Sequence, residues 1–77
     1  MKVKILKLSC KLFDGDVDSL TLPSEQGQIT ILPRHISILT KLTKGKIVIR
    51  HDNESKEFNI IAGICSFSNN TASVILY

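Results

Sequence analysis

KIVIRHDNE, residues 46–54, is the stretch that decides the fold class. Lys46 to Arg50 is a run of β-branched residues between two cations, which favours an extended strand. The polar cluster at residues 51–54 is typical of a turn. A second apolar run follows at residues 58–60, so the segment predicts two strands joined by a tight turn.

Short apolar runs separated by turn residues continue to the end of the chain. Residues 64–67 and 74–77 have the composition of strands. The stretch between them, residues 68–71, predicts a tight hairpin because Asn69 and Asn70 adopt positive φ at low cost.

The N-terminal third shows the same period of two but changes phase. Val3 and Ile5 share one phase, and the other phase holds Leu6, Leu8, Cys10 and Leu12. Because a shift of one residue reverses the buried face, a bulge or tight turn must intervene. We predict a corner at residues 13–15 and a strand from Val17 to Leu22 that ends at Pro23.

Residues 31–42 offer the one helical alternative, since apolar residues there recur every three or four positions. Pro33 lies inside this run, and the isoleucines and threonines favour extended structure. We therefore expect at most a single helical turn, and the pattern as a whole indicates a β-sandwich or a small barrel.

The composition is that of one small folded domain over residues 1–77, since 43% of the residues are hydrophobic. The net charge is +3, and four lysines lie near the N-terminus: Lys2, Lys4, Lys7 and Lys11. Solvated lysines on a strand explain this basic character more simply than a nucleic-acid or lipid surface. No apolar run approaches the ~20 residues of a membrane span, so we expect a soluble, cytoplasmic protein.

Residues 14–25 have the carboxylate spacing of a calcium loop, with Asp14, Asp16, Asp18 and Glu25 at the ligand positions. The sharp turn of such a loop needs glycine where this chain has Ser19. Both flanks have the pattern of strands rather than helices. We therefore interpret these carboxylates as solvated side chains of a strand and its corner, and expect no metal site.

The candidate catalytic groups are the two histidines, His35 and His51, and the two cysteines, Cys10 and Cys65. A cysteine paired with His35 would be a nucleophile and a base, but no local sequence supports an activated thiol. We expect free buried thiols, although a disulfide stays open. The sequence contains no cofactor fingerprint, so we predict neither an enzyme nor a cofactor.

A specific resemblance lies in the segment from Phe13 to Gly45. The chain is similar to the epsilon subunit of F-type ATP synthases in its pattern of Phe13-Asp14-Gly15, Val17, Leu20, Leu22-Pro23, Glu25, Gly27, Ile31-Leu32-Pro33, His35, Leu39-Thr40, Leu42 and Gly45. Weaker matches extend to residue 76, so the resemblance covers essentially the entire chain.

The resemblance implies a flattened β-sandwich of about ten short, mainly antiparallel strands. It implies a non-catalytic rotor subunit that packs on the gamma subunit and rests on the polar loops of the c-ring. Carried over by position, the contacts to the c-ring would come from Glu25, Gly27, Gln28, Ile29 and His35. The contacts to gamma would come from Leu12, Val17, Ile36, Leu39 and Thr40.

The resemblance also implies a location at the cytoplasmic face of a bacterial inner membrane, reached only through the complex and without nucleic acid. The family commonly adds two inhibitory C-terminal helices after the sandwich, and we expect coupling without self-inhibition from this chain. Ser24, Thr30 and Arg34 stand where the family often has glycine. The alternative from another class is a small β-barrel nucleic-acid-binding module that uses the N-terminal lysines.

Overall fold

The computed structural model describes residues 1–8 and 10–77 and confirms the all-β fold. The described residues form nine strands, close to the predicted number of about ten. All described strand pairs are antiparallel except β1 with β9. No helix in this part of the chain is long and apolar enough to cross a membrane. The strands are β1 Lys2–Lys7, β2 Cys10–Asp16, β3 Ser19–Ser24, β4 Gly27–Ile31, β5 Ile38–Leu42, β6 Gly45–His51, β7 Glu54–Ile60, β8 Gly63–Ser68 and β9 Thr71–Leu76.

Among residues 1–8 and 10–77, the strands form two layers, and one ladder pair joins the sheet of the first layer to that of the second. Five strands are hydrogen-bonded in the order β2-β1-β9-β8-β5, and four in the order β4-β3-β6-β7. A single residue pair, Ser24 with Leu42, connects β3 of the second layer to β5 of the first. The curled sheet therefore folds back on itself as a sandwich, with a five-stranded and a four-stranded side.

The core lies between the two layers and follows from the period-two pattern. In β9, Ala72, Val74 and Leu76 are buried, whereas Ser73 and Ile75 are exposed. The opposite layer contributes buried residues of β3, β4 and β6 to the same cluster. Each fully buried large aliphatic side chain stabilises the fold by about 1.5–3 kcal/mol through removal of apolar surface from water.

Two hairpins confirm the turns predicted at residues 51–54 and 68–71. Asn69 and Asn70 have φ of 51° and 57° between β8 and β9, and Asp52 and Asn53 have φ of 50° and 67° between β6 and β7. Positive φ at both central residues is typical of the two-residue turn whose twist matches that of the flanking strands. The turn chemistry in the sequence thus sets the register of both hairpins.

The phase change of the N-terminal third is confirmed as a bulge combined with a turn. The register of β1 against β2 shifts between Ile5 and Leu6, and Leu8 has φ of 52° in the following turn. Ser9 lies outside the described residues.

The predicted corner at residues 13–15 is wrong. The ladder with β1 holds Asp14 and Gly15 extended opposite Lys4 and Val3, so β2 runs through to Asp16. The chain instead turns at residues 17–18, and the strand predicted from Val17 begins two residues later. Pro23 lies inside that strand, beyond its last residue paired with β6, where a missing N–H group removes no bond to that neighbour.

The run at residues 31–42 forms a turn followed by β5. The His35 N–H donates to the Leu32 carbonyl at 3.1 Å, which closes one tight turn, and strand begins at Ile38. Arg34 has φ of 68°, and its N–H donates to Asn70 Oδ1 at 2.9 Å. The family resemblance implies a glycine at position 34. In this chain arginine adopts the left-handed conformation there instead.

The turns divide between two ends of the sandwich. The carboxy-terminal end carries Tyr77 and the turns β1–β2, β3–β4, β5–β6 and β7–β8. Backbone hydrogen bonds link these turns to one another. The Thr43 N–H donates to the Pro23 carbonyl, and the Tyr77 N–H donates to the Ala62 carbonyl. The amino-terminal end carries Met1 and the other turns, and Met1 and Val17 exchange backbone hydrogen bonds there.

Candidate partner-binding surfaces

The β3–β4 hairpin presents a rigid polar tip at the carboxy-terminal end. Ser24 Oγ donates to the Gly27 carbonyl at 2.5 Å, and Gly27 has φ of 113°, a conformation that essentially only glycine adopts. Glu25 and Gln28 are exposed, whereas Ile29 is half-buried and packs on the core. Four of the five predicted c-ring residues therefore belong to one hairpin.

The fifth predicted c-ring residue, His35, lies elsewhere. It follows the far end of β4, a strand that spans about 13 Å from Gly27 to Ile31. Its ring packs edge-on against Phe67 with 6.1 Å between centroids, and its Nδ1 lies 2.8 Å from the Ile36 carbonyl oxygen. The structure thus brings His35 next to Ile36, a predicted gamma contact, rather than next to the hairpin tip.

The predicted gamma contacts divide in the same way. Ile36 and Leu39 are 79% and 74% exposed and lie close together in sequence at the start of β5. Thr40 is half-buried on the inward side of β5, opposite the buried Cys65. Val17 is only 2% exposed, so its side chain belongs to the core and offers no surface to a partner.

Leu12 is separated from Leu39 and Thr40, two other predicted gamma contacts, by the width of a layer. It lies on β2, at the opposite edge of the five-stranded side from β5. Four strand spacings place it about 19 Å from Leu39. Leu12 instead lines a groove at the carboxy-terminal end with residues such as Phe58 and Leu76.

The outer face of the five-stranded side carries an apolar surface that the sequence did not predict. Ile64 pairs with Ile75, and Ile75 pairs with Leu6, so these three side chains form a row across β8, β9 and β1. Leu39 occupies the neighbouring row, opposite Ser66. Consecutive apolar residues in a strand were the available signal, since alternation sends one of each pair outward.

The outer face of the four-stranded side is polar. Thr21 and Thr30 pair across β3 and β4 with 3.2 Å between their hydroxyl oxygens. Lys46 Nζ lies 3.4 Å from Glu57 Oε1 across β6 and β7. This side therefore resembles an ordinary solvated sheet surface rather than a docking face.

The calcium-like spacing does not form a site. Asp14 pairs with Lys11, and Asp18 and Glu25 flank the two ends of β3, roughly 20 Å apart. Asp18 instead caps the β6–β7 turn, because its Oδ2 accepts from the Asp52 N–H at 3.1 Å.

One cluster of possible metal-ligand atoms involves other residues than the calcium-like spacing, apart from Asp18. Atoms of Asp18, His51 and Asp52 lie within 4.8 Å of one another, and all three side chains are exposed. His51 Nε2 lies 3.2 Å from Asp52 Oδ2, and His51 Nδ1 lies 3.8 Å from Asp18 Oδ1. Pairing within the turn accounts for these positions without an ion.

The two thiols differ in environment. Cys65 is buried in the core, and burial raises its pKa from 9.0 to about 11 because desolvation disfavours the thiolate. Cys10 is exposed on β2, so the expectation of two buried thiols is wrong for this residue. Both thiols are free.

The phenylalanines serve packing rather than stacking on bases. Phe67 is buried, and Phe13 and Phe58 pack against the core from partly buried positions. A single-strand nucleic-acid surface needs exposed aromatic rings beside cations. These three side chains therefore offer no stacking platform, whereas Tyr77 is 63% exposed in the groove lined by Lys7 and Lys44.

Comparison with known proteins gives consistent matches. A family model described as ATP synthase, Delta/Epsilon chain, beta-sandwich domain matches residues 1–76. An ATP synthase epsilon chain of Synechococcus sp. (strain RCC307) is 30% identical over 76 residues, covering 99% of this chain and 56% of the relative. The chain thus spans about half the length of such relatives.

Two solved structures share the fold. A chain in the cryo-EM structure of Euglena gracilis mitochondrial ATP synthase, OSCP/F1/c-ring, gives a TM-score of 0.91 at 12% identity, covering 96% of this chain and 48% of that one. A chain in the Tetrahymena thermophila mitochondrial ATP synthase central stalk/c-ring structure gives 0.81 at 20% identity, covering 97% and 61%. At these identities the likeness concerns the fold.

Proposed function

Because the chain belongs to the family of ATP synthase delta/epsilon β-sandwich domains, we propose that it is a non-catalytic subunit of the central stalk of an F-type ATP synthase. In this proposal it links the gamma subunit to the c-ring and passes ring rotation to the stalk. Its membrane association, at the cytoplasmic face, comes through the complex. The observation that carries the proposal is the presence of two distinct surfaces on one rigid sandwich.

The gamma subunit is assigned to the outer face of the five-stranded side together with Ile36. Leu39, Ile64 and Ile75 supply apolar area on a flat, hydrogen-bonded sheet, and exposed apolar patches of this kind mark permanent partner surfaces. Thr40 packs beneath this face on the inward side of β5, and Val17 is a core residue of the β2–β3 connection. Leu12 is not assigned to the gamma surface, because it lies at the opposite edge of the layer.

The c-ring is assigned to the tip of the β3–β4 hairpin. Glu25 and Gln28 present an acceptor-rich, exposed tip that suits the polar loops of a ring. The Ser24–Gly27 hydrogen bond and the ladder with β3 keep this tip in one conformation. A part that transmits torque needs such rigidity, because a flexible tip would bend before it moved the ring.

Complex formation with gamma tests the proposal. We expect the 77-residue chain and the gamma subunit to co-elute in size-exclusion chromatography at micromolar concentrations. The complex should persist at high salt, because apolar burial, unlike surface ion pairing, is not screened. Failure to co-elute with gamma would contradict the proposal.

Cross-linking tests the hairpin assignment. In a Cys10→Ser background, Gln28→Cys is expected to form a disulfide with cysteines introduced in the c-ring loops of the assembled complex. Ser55→Cys, exposed on β7, is the matched control and should not cross-link. Equal cross-linking from both positions would show that the hairpin has no special contact with the ring.

We also infer that these 77 residues couple without inhibiting ATP hydrolysis. All their described structure is strand and turn, and the sandwich surfaces are assigned to gamma and the ring. Hydrolysis by a complex assembled with these 77 residues alone should therefore exceed that of the same complex with a longer relative that carries C-terminal helices. Equal inhibition by the two subunits would refute this inference.

A further inference from the structure

We propose that the carboxy-terminal end of the sandwich binds directly to the surface of an anionic lipid bilayer. Leu8, at the tip of the β1–β2 turn, is 90% exposed, and Ile61, in the β7–β8 turn, is 75% exposed. Lysines accompany both tips at the same end, Lys7 beside Leu8 and Lys44 in the β5–β6 turn. Aliphatic tips next to lysines match a surface with anionic headgroups above an apolar interior.

The tips and lysines face one region of solvent. Lys7, Lys44, Ile61 and Tyr77 line the same groove, and the Tyr77 N–H donates to the carbonyl of Ala62, next to Ile61. A tyrosine at such a rim is typical of side chains at the boundary between water and lipid. Ile61, Tyr77 and the two lysines therefore lie around one groove, and Leu8 directly follows Lys7.

The backbone at Leu8 supports a role for its side chain. With φ of 52°, Leu8 occupies the left-handed region, where a branched apolar residue is disfavoured and glycine or asparagine is usual. Its side chain gains nothing from burial in return, because it is almost fully exposed. Strain at an exposed apolar residue points to a contact that the isolated domain does not make.

The charge distribution supplies the complementarity. Within the described part of the chain, Lys7 and Lys44 form no ion pair, whereas Lys11 pairs with Asp14 and Lys46 with Glu57. At the opposite end, the β2–β3 and β6–β7 turns bring together carboxylates, namely Asp16, Asp18, Asp52 and Glu54. Glu25 is exposed at the carboxy-terminal end, and Arg50 and Lys56 line the same pockets as the carboxylates at the opposite end. A negatively charged surface is therefore attracted to the unpaired Lys7 and Lys44 in particular.

The groove at this end combines an apolar lining with exposed lysines. Ile61 shares it with Leu12, Phe58 and Leu76, and Lys7 and Lys44 line it as well. Shallow insertion into lipid needs aliphatic tips with cations beside them, and this end supplies both.

This lipid contact goes beyond the proposed function, in which membrane association comes through the complex, because it is a direct contact that requires no other subunit. It is consistent with that function, since the β3–β4 hairpin assigned to the c-ring lies at the same end. The two ideas can fail separately: vesicle binding is measured without gamma or ring, and the vesicle-binding variants below should bind gamma as the unaltered chain does.

Vesicle flotation tests the proposal with the 77-residue chain. We expect binding to phosphatidylcholine vesicles containing about one-third phosphatidylglycerol, loss of that binding at high salt, and little binding to pure phosphatidylcholine. The double variant Lys7→Glu/Lys44→Glu should bind at least about tenfold more weakly. The matched control, Lys2→Glu/Lys4→Glu, makes the same change in net charge on the exposed face of β1 and should bind far better.

Leu8→Gly provides a second test that preserves the fold, because glycine tolerates the left-handed backbone better than leucine. It should weaken vesicle binding severalfold while leaving thermal stability equal or higher. The absence of binding to anionic vesicles would overturn the proposal and leave this end to a protein partner. Equal losses in both charge-reversed doubles would also overturn it, since net charge alone would then explain the attraction.

Discussion

The two outer faces of the sandwich differ in chemistry, although strands on both sides alternate between buried and more exposed residues. The five-stranded side exposes a row of aliphatic residues, Leu6, Ile64 and Ile75, with Leu39 beside it. The four-stranded side exposes hydroxyls and ion pairs such as Lys46 with Glu57. Folding needs only the inner faces to be apolar, so the apolar outer face indicates an interaction rather than stability.

The largest expected effect separates the inner and outer faces of one strand. Val74→Asp places a carboxylate in the core and should cost more than about 4 kcal/mol, enough to unfold most of a small domain. Ile75→Asp, on the neighbouring half-exposed residue, should change the free energy of unfolding by less than about 1 kcal/mol. Urea titrations check both values, and similar losses for the two variants would show that the outer face is also structural.

A pH titration tests the burial of Cys65 in the inner face of the five-stranded side. Its folded-state pKa of about 11 lies above the value of 9.0 for a free thiol. The contribution of the neutral Cys65 thiol to the free energy of unfolding is therefore fully present below pH 9. It falls by about 2–3 kcal/mol as the pH rises from 9 towards 11. The unfolding free energy of Cys65→Val should fall less over this range, and parallel curves for the two proteins would exclude an effect of the thiol.

Arg34→Gly tests the turn that leads from the polar side to the apolar side. Arginine has φ of 68° there, so glycine should relieve local strain and raise stability by up to about 1 kcal/mol. Arg34→Ala keeps the strain and is the matched control for the loss of charge. A thermal melt that shows equal or lower stability for the glycine variant than for the alanine variant would contradict the strain.

The smallest effect is expected on the polar face. The double variant Thr21→Val/Thr30→Val removes both hydroxyls of an exposed pair, so neither is left unsatisfied, and stability should change by less than about 0.5 kcal/mol. Binding to gamma should be unchanged in a pull-down. A loss of gamma binding would assign the partner to the four-stranded side instead.

Local chemistry in the sequence predicts much of this fold. The two asparagine turns, the change of phase before Leu8 and the strand at residues 46–50 all follow from side-chain period and turn preference. Gly15 misled the prediction of a corner, because glycine is common in turns, whereas here the ladder with β1 holds it extended. The parallel pairing of β1 with β9 joins the two ends of the chain, and no local pattern encodes it.

The candidate sites were less predictable than the fold. The hairpin residues Glu25 to Ile29 stay together because they are consecutive in the chain. His35 and Leu12 were grouped with distant residues, since which strands become neighbours depends on tertiary pairing. The outward orientation of Ile75 could not be predicted, because it lies in a run of consecutive apolar residues. Only the strand register shows which of them faces outward.

The central claim is that the five-stranded side, and not the four-stranded side, binds gamma. Leu39→Asp and Leu32→Asp make the same substitution at two exposed leucines, one on each side. Measured by titration calorimetry, the affinity for gamma should fall at least about a hundredfold for Leu39→Asp and less than about threefold for Leu32→Asp. Equal affinities for the two variants, or a larger loss for Leu32→Asp, would contradict the account.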